Sequence, residues 1–157
     1  MTTTILEHTT ISETEQVPLQ TFKRSFEKIC AGVNPWLPLG NFMHQFFGEY
    51  QHLQQELVRE PIELPAETLS QDILRWAVFC AASVEYLCHK YDLSCPEWAM
   101  NPRYVLNEPW YYAPKGDNPV VQEDLRKTTP KEFTNRNIFC GDRTYRNKYE
   151  FHGRKTA

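Results

Sequence analysis

Apolar residues recur at steps of three and four through Ile73, Ala77, Cys80, Val84, Leu87 and Tyr91, which places them on one face of a helix. Between Arg75 and Glu85 the run from Trp76 to Ser83 leaves almost no polar arc, so the middle of this helix is predicted to be covered on most sides. Thr68 followed by Gln71 has capping-box spacing, and Pro65 suits a first helical turn; the pattern predicts a helix over about 67–91. Upstream, Phe22, Phe26, Ile29 and Cys30 give a short amphipathic helix over about 19–31, with Gly32 placed to close it in a left-handed conformation. A second stripe, Phe42, Phe46, Tyr50, Leu53 and Leu57, predicts a helix over about 41–60, capped by Asn41 and ended by Pro61. Between these two, the prolines and glycines of GVNPWLPLG predict a turn that pins the Trp36 ring against the core. The short PIELP linker favours direct packing of the second and third helices.

Beyond Asp92 the texture changes. SCPEWA reads as one helical turn, and NPRYVLNEPWYYAP as an extended strap broken by Pro102, Pro109 and Pro114. A short helix is predicted over Val120 to Lys127, followed by Thr129 as a cap with Pro130 in the first helical position; NIFCGD reads as a short strand or a buried turn. The expected fold class is mainly α, a small three-helix core with an irregular aromatic and proline-rich C-terminal strap. Residues 1–17 read as a disordered lead-in, 18–142 as a single helical domain and 143–157 as a basic tail.

Composition narrows this picture. At 157 residues one core is the default, and 41% hydrophobic with 13% aromatic residues argue against disorder over most of the length. No apolar run approaches the roughly 20 residues of a membrane span, and MTTTILEHTTISETEQ lacks the basic and apolar regions of a signal peptide, so a cytoplasmic protein with no membrane partner is expected. Five cysteines, two of them in the apolar helix, suit packed reduced thiols better than a disulfide framework. Charge is uneven: residues 1–114 hold 7 Lys/Arg against 14 Asp/Glu, a net of −7, whereas residues 115–157 hold 10 against 6, a net of +4. That basic quarter suits an acidic protein surface or a phosphate backbone, and as a plainer alternative it is a solvated tail.

Candidate chemistry is sparse. Glu49 and His52 have the Glu-x-x-His spacing of carboxylate-bridged metal bundles, but no second such pair exists; Glu85 with His89 has the wrong spacing. Cys88, His89 and Cys95 lack the Cys-x-x-Cys grammar of a zinc site. Neither a phosphate loop nor a nucleophile elbow occurs. No metal, cofactor or catalytic residue is therefore assigned, and the enzyme question stays open on the side of no. Glu85 is the candidate buried charge: in an apolar helix its carboxylate needs a partner such as Arg103 or Arg136, or else serves as a site acid or an anchor for a partner's arginine. The aromatic strap reads either as core cover or as a partner-facing patch, and Trp98, Tyr104, Trp110, Arg136, Asn137, Arg143 and Arg146 are the candidate partner-binding residues. Arginines among aromatics also fit stacking on single-stranded nucleic acid, the second candidate partner.

The runs WAVFCAASVEYL, CPEWAMNPRYVLNEPWYY and TPKEFTNRNIFC resemble a small bacterial antitoxin-like domain family, marked by an Ala-rich helix with Val-Glu, Pro-x-Trp, Leu-x-x-Pro-Trp and Thr-Pro-x-x-Phe-x-x-Arg-Asn-x-Phe. Its members occur alone or behind helix-turn-helix modules. The resemblance spans about Leu69 to Cys140 and matches Glu85, Trp98, Pro109, Trp110, Phe133, Arg136, Asn137 and Phe139. It implies a non-enzymatic protein-binding component of a toxin–antitoxin or defence operon whose partner is encoded alongside. This chain departs from the pattern in having no recognisable helix-turn-helix ahead of the domain.

Overall fold

The computed structural model describes residues 18–65 and 69–147; the expected lead-in, the Thr68 cap and residues 148–157 of the expected tail lie outside them. The protein is mainly helical, built around the predicted apolar helix. The first helix, α1 (Phe22–Cys30), is capped by Thr21, whose hydroxyl accepts from the Arg24 amide at 3.1 Å. It closes as predicted. Gly32 sits at φ +97°, the Val33 amide donates to the Lys28 carbonyl and the Gly32 amide to that of Ile29, which are the two bonds of a left-handed helix stop.

The second helix differs from its prediction. It begins at Trp36, not Asn41: α2 (Trp36–His44) takes Pro38 into its first turn, where the missing amide costs nothing, and Asn41 lies exposed in its middle. The Trp36 ring is pinned against the core as expected, but from a helix. A π-turn at Gln45–Glu49, sealed by the Tyr50 amide on the Gln45 carbonyl at 2.8 Å, and a 3₁₀ turn at Gln51–Leu53 precede α3 (Gln54–Arg59). The irregular turns shift the helical phase. Consecutive Phe46 and Phe47 are both buried, while Tyr50 and Leu53 of the expected stripe are only half-buried.

The central helix, α4 (Gln71–Lys90), starts on Ser70, whose hydroxyl accepts from the Ile73 amide at 3.1 Å. Every residue from Trp76 to Val84 is buried. It packs along α1, and not directly along the second helix, which reaches α4 and its C-cap through rings: Trp36 to Trp76 at 5.7 Å, Trp36 to Phe79 at 5.8 Å, and Phe46 to Tyr91 at 5.6 Å. Large side chains at these positions hold the two axes apart. Asp92, at φ +56°, ends α4 with the Leu93 amide on the Cys88 carbonyl.

The strap opens with a 3₁₀ turn, Glu97–Met100, and leads into β1 (Trp110–Tyr111). Then α5 (Pro119–Thr128), capped by the Asn118 carboxamide, and the single turn α6 (Lys131–Thr134) form the crossover to β2 (Ile138–Phe139), which pairs with β1 in parallel. Pro130 stands just ahead of α6, and Thr129 does not cap it: its hydroxyl accepts from the Gly141 amide at 2.7 Å. Residues 143–147 of the expected tail do not hang free. Tyr145 is buried, stacks on Phe79 at 6.3 Å and donates its hydroxyl to Ser83 Oγ at 2.7 Å, and Ser83 donates in turn to the Phe79 carbonyl. A phenol with its hydroxyl satisfied can enter a core that a purely basic tail could not.

Candidate functional site

Glu85 meets the second of the two arginines suggested for it. Arg136 Nη2 donates to Glu85 Oε1 at 2.9 Å, and the same guanidinium donates to the carbonyls of Ala99 at 2.9 Å and Tyr104 at 3.0 Å. Arg136 is buried and Glu85 nearly so, with side-chain exposures of 6% and 15%. One guanidinium thus ties the central helix, the 3₁₀ turn and the strap together. The alternative partner, Arg103, is exposed and lies over Tyr104. Asn137, in the left-handed region at φ +69°, continues the tie: Nδ2 donates to the Leu106 carbonyl at 2.7 Å and its own carbonyl accepts from the Trp110 amide at 2.8 Å.

The strap aromatics face inward. Trp98 is half-buried and donates Nε1 to the Val58 carbonyl at 3.2 Å; Tyr104 is buried; Trp110 is buried edge-on to Trp76 at 5.4 Å. Of the seven partner-binding candidates, five therefore serve the fold: Trp98, Arg136 and Asn137 commit side-chain donors to backbone carbonyls, and Tyr104 and Trp110 are buried. Arg143 and Arg146 are exposed. They meet in an open cleft of about 650 Å³, whose walls are Tyr112 to Pro114 leaving β1, the face of α5 carrying Asp124, Leu125 and Thr128, and the loop after β2 with Asp142 and Thr144. Its lining mixes apolar side chains, Tyr112, Pro114 and Leu125 among them, with charges of both signs. Sequence reasoning found the two arginines but not Asp124, which joins them only through the docking of α5, nor did it single out Asp142 beside Arg143.

The metal-ligand readings come apart in space. Glu49 and His52 are exposed. His89 Nδ1 lies 2.6 Å from Glu132 Oε2. Glu132, buried at the start of α6, has no signal in the sequence beyond its place in a first helical turn. Among the described residues no cluster of three His, Cys, Asp or Glu side chains has ligand geometry, and no helix is long and apolar enough to cross a membrane.

The thiols sit in settings that hold them protonated. Burial pushes Cys140, on the cleft, up to about 11 and Cys88 up to about 12, and lifts Cys80 and Tyr145 well above their ordinary values. Raised folded-state values favour the neutral form, so this stabilisation is complete below the ordinary thiol value of 9.0 and disappears as the pH climbs through the folded values. Urea midpoints measured in reductant are expected to hold steady from pH 7 to about 9 and then to fall progressively towards pH 11. A midpoint unchanged at pH 10.5 would contradict the buried placement of these groups.

Comparison with known proteins adds no assignment: no family model, no curated protein and no solved structure matches this chain.

Proposed function

We propose that the chain acts without catalysis, by binding another protein in the cytoplasm, as an antitoxin-like or accessory component encoded beside its partner in a bacterial toxin–antitoxin or defence operon. The observation that carries this reading is the open cleft between α5 and the loop after β2. Asp124 and Asp142 stand there with Arg143 and Arg146 beside the apolar side chains of Pro114 and Leu125. Charges of both signs beside apolar surface suit a folded protein, which can present both signs. A nucleic acid, uniformly negative, would meet two carboxylates in the same cleft, and this ranks it second. An enzyme centred on Glu85 ranks third, since its carboxylate is committed to Arg136 and that arginine to two strap carbonyls.

The test is a pull-down of tagged protein from its native host, wild type beside the double variant Arg143→Glu, Arg146→Glu. Both residues are exposed, so the fold is expected to survive and recovery of one stoichiometric protein to drop by about tenfold or more. The neighbouring gene is expected to be toxic alone and tolerated when co-expressed. Equal recovery by the variant, or capture of nucleic acid with a steep salt dependence and no protein, would overturn the reading.

A further inference from the structure

At the opposite end of the central helix from the Glu85 and Arg136 pair lies an arginine that the fold sets over a ring but pairs with no acid among the described residues. Gln71 and Arg75 are one turn apart at the start of α4 and, with Leu74, face strap residues Asn107 and Glu108 across a recess of about 230 Å³. The Arg75 guanidinium lies over the buried Trp110 ring, 5.4 Å from its centroid. Its Nε is shut off from solvent and has no hydrogen-bond partner, and none of the ion pairs among the described residues includes it, although Glu108 lines the same recess. The side chain as a whole is only half-buried, so its terminal nitrogens are the donors that a ligand in the recess can reach. Arg136 shows the contrast within this protein, with three oxygen acceptors on one guanidinium.

We propose that this recess binds a carboxylate with an adjoining N–H, the chemistry shared by a free amino acid and the terminal residue of a peptide. Arg75 supplies the positive charge, fixed in orientation by the aromatic face beneath it. The amino-terminal end of the 20-residue helix α4 adds a favourable dipole for an anion, and the carboxamides of Gln71 and Asn107 bring neutral donors. Glu108 gives the site its selectivity. A carboxylate beside Arg75 leaves room for an N–H to donate to Glu108, whereas a phosphate dianion would be repelled by it. At about 230 Å³ the recess is smaller than a drug-sized pocket and accepts one residue, whose side chain rests on Leu74. The recess and the charged cleft share no lining residue, so this site stands independently of the protein-binding reading.

The experiment is an NMR titration of the full chain, following the side-chain amides of Gln71 and Asn107 and the Trp110 indole. The probes are free leucine, N-acetyl-leucine, N-acetyl-leucine amide and inorganic phosphate. Leucine or N-acetyl-leucine is expected to shift these signals saturably, with the amide and phosphate at least tenfold weaker. Tighter binding of the free amino acid points to a metabolite, tighter binding of the acetylated form to a peptide terminus, and both support the site. Arg75→Lys is expected to weaken binding at least tenfold. Glu108→Gln, at an exposed position, is expected to keep the fold and erase the discrimination against phosphate. Equal binding of the amide, unchanged affinity in Arg75→Lys with its fold intact, or no shift of these signals by either carboxylate at 20 mM would overturn the proposal.

Discussion

Arg136→Met is expected to lower stability by about 3–5 kcal/mol, the usual cost of removing one partner from a buried ion pair. The substitution leaves the Glu85 carboxylate facing an apolar side chain and strips the carbonyls of Ala99 and Tyr104 of their shared donor. For a domain of this size that shifts Tm by about 10 °C or more. Glu85→Gln is expected to do less, about 1–3 kcal/mol, because the guanidinium keeps both carbonyls and can still donate to the neutral amide oxygen. The double variant Glu85→Leu, Arg136→Met separates charge from packing. With no charge left stranded, it should be more stable than Arg136→Met alone, since a buried pair replaced by apolar groups is often close to neutral. Thermal melts of the three variants decide the matter. A single Arg136→Met variant within 1 kcal/mol of wild type would show that the tie between helix and strap is not what holds the strap down.

Phe79→Ala is expected to be comparably severe, again about 3–5 kcal/mol, from lost transfer energy plus an unfilled cavity. Phe79 is fully buried in the middle of α4, and its ring meets Trp36 from the second helix, Trp76 from its own, Phe133 from α6 and Tyr145 from the C-terminal segment. Four separate stretches of chain converge there, so the cavity cannot collapse by moving one of them. Phe79→Leu keeps most of the volume and should recover the larger part of the loss. Urea denaturation followed by tryptophan fluorescence gives the comparison. Equal stability of the alanine and leucine variants would mean that the neighbouring rings relax into the space.

The central helix was readable because burial on nearly all sides leaves an unbroken apolar run, and Gly32 because few residues but glycine take φ near +97° at a helix stop. The start of the second helix was misread for a specific reason. Pro38 and Gly40 usually mark a turn, yet a proline in a first helical turn loses no hydrogen bond, and the packing of Pro38 and Leu39 outweighs the modest cost of Gly40. Tyr145 was assigned to a basic tail because its neighbours Arg143 and Arg146 are charged; what brings it inside is a hydroxyl partner, Ser83, far away in sequence.

The candidate site divides along the same line. That Glu85 needed a buried partner followed from its position in an apolar helix, since an isolated charge cannot be taken out of water, and Arg136 was one of two arginines named for it. That Arg136 also fastens the strap, that Trp110 lies under Arg75, and that Asp124 and Arg143 line one cleft are relations between segments distant in sequence. Local periodicity and capping reach only a few residues along the chain, so they determined the mainly helical class and the central element. Which charged groups were spent inside, and which were left at the surface, was decided when α5, α6 and the strap closed over α4.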